Sequence, residues 1–325
     1  MKLLNLSRVK LIKPNFWKKN NLLVFFIWPL TLLTRIIIFF KNVRDPYKTE
    51  IPTICVGNIY LGGTGKTQLV IKLNEILKKK YKIYVIKKYY KDQIDEQRLL
   101  SKNTKLILPR KRIDGVKKIK NLKKNIIIFD DGLQDKSIKY SISLVCFSSV
   151  SGVGNGNILP AGPLREDLSN LKKYDAAIIN GRKNINLEKK IKSNNKNIKI
   201  FYGKYVLKNK SKFVKRSKYL AFCGIGTPEN FFNLLKENSI KIKKKIIFPD
   251  HFDYKLSDIN KIISIAKEYK LSIVTTEKDF MKIKKLNKNG IAYTDVDLRI
   301  KNILDFKKFI LKRLWKQLSI LFNLQ

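Results

Sequence analysis

Carboxylates are scarce in this chain. Its 325 residues hold 25 Asp+Glu against 70 Lys+Arg, a formal net charge of +45 at pH 7. Such an excess attracts polyanions: nucleic acid, anionic lipid surfaces or phosphorylated substrates. The bias is spread along the whole chain, however, in stretches such as KKIKNLKKN and KSNNKNIKI. A nucleic-acid binder more often gathers its charge on one element, with aromatic or glycine-rich interleaving, so no nucleic-acid partner is expected and a solvated basic surface is. Cysteine is also sparse. Cys55, Cys146 and Cys223 each lie in or beside an apolar run and none has a C-x-x-C partner, which argues against a zinc site or a disulfide framework and for a reducing compartment. There is a single histidine, His251. The length suits one large or two small domains with enough apolar content for full cores.

The longest apolar run, LLVFFIWPLTLLTRIIIFF at residues 22–40, has Arg35 as its one charge and Pro29 as its one breaker. A spanning helix needs about 20 apolar residues, and an arginine near one end can snorkel to the interface. Lys13, Lys18, Lys19, Lys41 and Arg44 flank the run. No small-residue cleavage site follows it, which speaks against a signal peptide. Residues 1–45 are therefore expected to attach to a membrane, spanning it or lying in its interface; a hydrophobic helix buried in the fold is the alternative.

From residue 51 onward, apolar runs alternate with helical patterns. IPTICVGN, KIYVIK, NIIIFDD, SLVCFS and DAAIIN read as strands, and Leu69, Leu73, Ile76 and Leu77 recur at helical spacing after the first of them. Continuous apolar strands separated by helices predict an α/β fold with a parallel sheet covered on both faces. Residues 182–217 read as a Lys/Asn-rich connection containing one strand, IKIFYGKY. A second alternation follows, with YLAFCGIG, KIIFPDH and LSIVTTEKD as strands, helices from Pro228 and from about Leu256, and an amphipathic terminal helix. The expected organisation is a P-loop domain over 46–207 and a smaller α/β domain over 208–325.

The chemistry concentrates first at GNIYLGGTGKTQLV. A strand, then Tyr60, Leu61, Gly62, Gly63, Thr64, Gly65, Lys66 and Thr67, then a helix, is the arrangement of a phosphate-binding loop. Glycines let backbone N–H groups face phosphate oxygens, Lys66 reaches the β- and γ-phosphates, and Thr67 supplies a hydroxyl to Mg²⁺. The strict pattern would put a glycine where Tyr60 stands. IIIFDDGLQ supplies the partner element, an apolar strand closing on Asp130 and Asp131, which fits a magnesium-holding pair. No GTPase base-reading motif and no helicase-like arginine set accompanies them. A small-molecule kinase or a divergent ATPase remains.

Several stretches together resemble the tetraacyldisaccharide 4′-kinase (lipid A 4′-kinase) family: PTICVGNIYLGGTGKT, DDGLQ, GNGNILPAGPLRE, GIGTPENFF, FPDHFDY and TTEKD. They stand in the family's order over most of residues 51–280, and WPLTLL near the N-terminus is similar as well. The resemblance implies transfer of the γ-phosphate of ATP, with Mg²⁺, to the 4′-hydroxyl of an acylated glucosamine disaccharide 1-phosphate, giving lipid IVA, at the cytoplasmic face of the inner membrane. An N-terminal P-loop domain and a smaller C-terminal domain are implied too. Carried over position by position, it makes Asp95 of IDEQRLL the base and His251 its partner, with Lys66 at the phosphates and Asp130 and Asp131 at the metal. Gln134, Arg165 and Glu166 become substrate-positioning or electrostatic residues. Glu277, Lys278 and Asp279 of TTEKD stay outside this set, since they could equally cap and pair at a helix start. The chain departs from the family at KKYYKDQ, where an S-R-G-Y-G-like run is usual, at Gln97, where the family has proline, and at Asp135, Lys136 and Ser137, in place of a histidine and arginines. A membrane-associated P-loop ATPase, acting as a switch or a nucleic-acid module, is the competing reading; it leaves His251, LPAGPLRE and Asp95 without a role.

Overall fold

A computed structural model describes residues 4–5, 14–40, 45–120, 122, 124–214, 216–283 and 289–322. The chain forms two compact units. One comprises Lys13–Tyr89, Asn103–Lys204 and Arg299–Gln325, the other Met1–Ile12, Tyr90–Lys102 and Tyr205–Leu298.

The first unit is built on strands Thr53–Gly57, Asn125–Asp130 and Ala176–Asn180, which are buried at every position. Runs this apolar satisfy both faces of a sheet only when helices cover both, so they pair in parallel. Across the sheet the order is 296–300, 199–207, 176–180, 142–148, 53–57, 125–130, 82–87 and 106–107, and the pairs from 53–57 to its neighbours on either side run parallel. Residues 182–217 hold more than a connection: helix Ile185–Asn194 and strand Lys199–Leu207, which joins this sheet. Register brings the carboxyl ends of neighbouring strands level, with Val56 and Lys87 both opposite Asp130, and Ser148 opposite Asn180. In open α/β sheets ligands bind beyond such carboxyl ends. The terminal helix, Ile303–Phe322, buries Phe306, Ile310 and Leu314 at four-residue spacing, and the Phe306 ring meets Phe201 edge-on at 5.0 Å.

The second unit has a smaller parallel sheet in the order 241–247, 218–223, 272–276, 291–294, with Leu4–Asn5 pairing outside 241–247. Helix Pro228–Glu237 starts with proline in its first turn, where the missing N–H costs nothing. Leu256–Glu268 buries Ile259, Ile262 and Ala266 along one stripe.

At the N-terminus the single long helix suggested by the apolar run is two, Leu22–Ile27 and Leu30–Phe40, parted at Trp28–Pro29. Proline removes a backbone donor and clashes with the preceding turn, which is reason enough for the break. Among the described residues no helix is long and apolar enough to cross a membrane. Nor is the segment a core helix: Leu22, Phe25, Phe26, Leu33 and Ile37 are each more than half exposed, and Phe25 reaches 74%. The ring N–H of Trp17 donates to the Pro160 carbonyl at 3.0 Å, and Asn155 N–H donates to the Trp17 carbonyl at 2.8 Å. The segment is thereby tied to the GNGNILPAGPLRE loop.

Candidate active site

The phosphate loop begins where strand Thr53–Gly57 ends and closes where helix Lys66–Leu77 starts. Gly62 and Gly65 stand at φ of 128° and 90°, a region in which a side chain would be strained, so the loop's path requires glycine at both. Asn58 braces the loop from inside: buried, it donates to the carbonyls of Tyr60 at 2.6 Å and Gly62 at 3.1 Å. Asn180, at the end of its own strand, donates to the Thr64 carbonyl at 2.5 Å. Tyr60, where the strict pattern has glycine, forms an antiparallel bridge with Leu164, and Leu61 N–H donates to Pro163 at 2.8 Å. The LPAGPLRE segment thus forms a wall of the phosphate loop, and Tyr60 is a residue that this wall accommodates.

Lys66 lies in the first turn of its helix, 3.1 Å from Asn58 Oδ1 and 3.4 Å from Asp131 Oδ1. Asp131 sits just past its strand with φ at 57°, a left-handed conformation that a non-glycine residue adopts at a cost of about 1–3 kcal/mol. Its N–H donates to Val56 O at 2.8 Å, which pins it beside the loop strand. Arg165 Nη1 reaches both its oxygens, at 3.0 and 3.1 Å. Burial pushes the Asp131 carboxyl up, but Lys66, Arg165 and Lys87 outweigh burial and hold it at about 2. Asp131 is therefore an anion at any working pH.

Asp130, the other acid of the pair, is fully buried, and its Oδ2 accepts from Lys87 Nζ at 2.9 Å inside the sheet. Its Oδ1 is buried with no hydrogen-bond partner among the described residues, as are Thr64 Oγ1 and Asn180 Oδ1. Buried oxygens are seldom left so, and an orphaned carboxylate oxygen is chemistry that suits a hard cation such as Mg²⁺, which binds through one or two carboxylates. Gln134 Nε2 donates to Asn58 O at 3.0 Å and to Glu166 Oε1 at 2.9 Å, and Glu166 also accepts from Tyr174 and Asn170. Gln134, Arg165 and Glu166 thus form one brace around Asp131 and the phosphate loop. Arg112, buried, adds a bond from Nη2 to the Asp131 carbonyl at 2.5 Å and an ion pair with Asp135 at 2.9 Å.

The remaining pair lies in the second unit. Asp95 is in the first turn of helix Ile94–Asn103 and is 2% exposed; it is inside the helix, not its cap. His251, in the loop after strand Lys241–Ile247, brings Nδ1 to 3.1 Å from Asp95 Oδ1, although 156 positions separate the two in sequence. Its φ of 56° is again left-handed. Burial pushes the Asp95 carboxyl up, but the His251 hydrogen bond, Lys278 and Lys282 outweigh it and leave it at about 2. Burial lowers the His251 imidazole, and the Asp95 hydrogen bond with the Asp250 charge more than reverses that, so it ends raised. With Asp95 ionised, Nδ1 carries the proton of that hydrogen bond and Nε2 is the basic nitrogen.

Lys66, Thr67, Asp130, Asp131, Gln134, Arg165 and Glu166 are together in the first unit, and Asp95 and His251 together in the second. Sequence reasoning missed Asn58, Lys87, Asn180 and Arg112. The first three share a signal, a lone polar residue closing an otherwise apolar strand, in CVGN, VIK and AIIN. Arg112 had none.

Comparison with known proteins agrees with this architecture. The family model described as tetraacyldisaccharide-1-P 4′-kinase matches residues 22–315. Among curated relatives, the tetraacyldisaccharide 4′-kinase of Pelagibacter ubique (strain HTCC1062) is 43% identical, with 90% of this chain and 95% of the relative covered. That of Rickettsia akari (strain Hartford) is 34% identical over the same shares. The LpxK structure from Aquifex aeolicus in complex with ATP superposes with a TM-score of 0.67 at 22% identity, covering 90% of this chain and all of that one. A family match across nearly the whole chain, with relatives well above 30% identity and the same fold, establishes that this chain belongs to the tetraacyldisaccharide-1-P 4′-kinase family.

Proposed function

We propose that the protein transfers the γ-phosphate of ATP to the 4′-hydroxyl of a tetraacylated glucosamine disaccharide 1-phosphate, the lipid IVA-forming step of lipid A synthesis. Family membership supports the reaction; the observation that carries the chemistry is the 3.1 Å contact between Asp95 and the one histidine of the chain. A sugar hydroxyl is a weak nucleophile, and removal of its proton by a positioned base is worth about 10²–10⁴-fold. Asp95, held at about 2, has little proton affinity at neutral pH. His251, raised and partly exposed, is the better acceptor. In this reading Asp95 fixes the imidazole tautomer, and Nε2 takes the hydroxyl proton as the oxygen attacks phosphorus and the bond to the ADP oxygen breaks.

Phosphoryl transfer otherwise asks for positioning and charge stabilisation. Residues 60–67 would cradle the phosphates with backbone N–H groups, and Lys66 would move from Asn58 and Asp131 onto phosphate oxygen. Thr67, Asp130 and Asp131 would hold Mg²⁺, which supplies charge neutralisation at the phosphates. Arg165, Gln134 and Glu166 keep Asp131 in place. We assign the nucleotide to the domain at 46–207 and the dyad partner His251 to that at 208–325.

The test is transfer of labelled γ-phosphate to detergent-dispersed tetraacyldisaccharide 1-phosphate across a pH series. The expected product is a singly labelled lipid, with nucleic acid giving no stimulation of ATP hydrolysis. His251→Ala should lower kcat by about a hundredfold. The sign of the pH effect follows from the raised imidazole: the neutral ring is the active form, so the rate climbs as pH rises through the His251 pKa. The variant should lose that limb. A fall in rate with the limb intact sinks the assignment of His251 as proton acceptor.

A substrate with four acyl chains stays in the bilayer, and the exposed apolar face of residues 22–37 is suited to meet it at the cytoplasmic surface. Phe25→Asp with Phe26→Asp should cut co-sedimentation with anionic vesicles at least tenfold, since each aspartate places a charge in an interface that each ring favoured. Unchanged sedimentation would detach this segment from membrane binding.

A further inference from the structure

The TTEKD motif has no part in the reaction as described, yet the helix it opens, Glu277–Lys282, makes a row of polar contacts with helix Ile94–Asn103. Lys278 Nζ pairs with Glu96, Lys102 pairs with Glu277 at 2.7 Å, and Arg98 Nη1 donates to the Met281 carbonyl at 2.7 Å. At the centre of this row Lys282 Nζ lies 3.6 Å from Asp95 Oδ2 and 3.6 Å from Asp279 Oδ1. Its Nζ atom is buried although the side chain is 12% exposed, and among the described residues it has no hydrogen-bond partner. An ammonium in that setting is costly unless opposite charges surround it, and here two carboxylates do.

Asp279 is itself fixed from three sides. It accepts from Gly224 N–H at 3.0 Å, from the Thr276 hydroxyl at 2.7 Å and from the Tyr254 hydroxyl at 3.1 Å. It is fully buried. A rigid line of contacts therefore runs from the strand end at Gly224 through Asp279 to Lys282, and on to the oxygen of Asp95 that does not face His251.

We propose that Lys282, with Lys278 one turn before it, is a positioning residue for the Asp95–His251 pair, holding the Asp95 carboxylate ionised and turned so that Oδ1 accepts from the imidazole. This rests on His251 acting as the proton acceptor of the kinase reaction. The TTEKD helix is then the electrostatic support of the dyad, and its lysines act on the reaction through Asp95. The charged groups facing the dyad are Lys278, Lys282 and Asp279 from that helix, Glu96 from the helix of Asp95, and Asp250 beside His251. Removing either cation favours the protonated form of both members, so the His251 midpoint should move up, not down.

Because the chain has one histidine, its ring can be followed alone by NMR in the full-length protein labelled at histidine. In K282M and in K278M the imidazole midpoint should rise by about half a pH unit or more, and in K282R it should stay within about 0.2. In the Met variants the acid limb of kcat should move up with it, so that kcat at neutral pH drops several-fold while KM for ATP holds. If one Met variant does not fold, the other reads the same quantity. An unmoved midpoint in the folded Met variants overturns the proposal, as does K282R behaving like K282M. The two readings fail separately: a shifted midpoint with no lipid phosphorylation by the parent protein refutes the kinase reading and keeps the electrostatic support of Asp95–His251, whereas full transfer with an unshifted midpoint refutes that support alone.

Discussion

Lys66→Ala should reduce phosphoryl transfer by about a thousandfold, with the protein still folded. The lysine supplies a charge whose value is greatest when negative charge moves onto the bridging and terminal phosphate oxygens, so the loss belongs in kcat more than in KM for ATP. Stability should barely move, because Asp131 keeps both of its bonds to Arg165 and Lys66 is an unneeded third party to the fold. Single-turnover transfer of labelled phosphate, run beside a thermal melt, separates the two effects. Loss of activity in proportion to loss of folded protein would remove Lys66 from the chemistry and make it a structural residue.

Lys87→Met should act in the opposite manner, through stability. Lys87 and Asp130 are 1% and 0% exposed and 2.9 Å apart. Breaking such a pair by removing one partner leaves a buried charge uncompensated, at a cost of about 3–5 kcal/mol, whereas replacing both partners by neutral residues of similar size is far milder. The expected result is a fall in Tm on the order of 10 °C for the single variant and recovery of most of it in Lys87→Met with Asp130→Asn. A single variant as stable as the parent would mean that water or a cation reaches Asp130. Lys87 closes strand 82–87 and stands opposite Asp130 in register, so the pair is built into the sheet.

The repeating elements were legible because each depended on local pattern: five apolar runs became buried parallel strands, and the glycine loop lies where its spacing put it. The site was legible only in part. Lys66, Asp130 and Asp131 announce themselves by their place at strand and helix ends. Asp95 and His251 do not, since nothing within ten residues of either tells of a contact 156 positions away; the resemblance to a family was needed to pair them. Lys282 and Arg112 were illegible for a related reason. Among 70 basic residues, a buried lysine and a solvated one look alike, and only the fold says which carboxylates surround it. The N-terminal run misled in the other direction. Its length argued for one helix, but Pro29 decided the matter, and the apolar face that results lies outside the core.

The GNGNILPAGPLRE segment holds Trp17 through Asn155 and Pro160 and the phosphate loop through Pro163, Leu164 and Arg165, and it folds back on itself where Leu164 N–H donates to Asn157 O at 3.1 Å and Leu159 N–H donates to Leu164 O at 2.9 Å. A turn closed by its own bonds is sensitive to its length before its composition. One residue added between Asn157 and Leu164 would break that closure, and with it go the Tyr60 bridge and the alignment of Arg165 on Asp131. Side chains at its exposed positions can vary while the spacing cannot, so this stretch acts as a gauge block, setting the distance between Trp17 and the glycine loop.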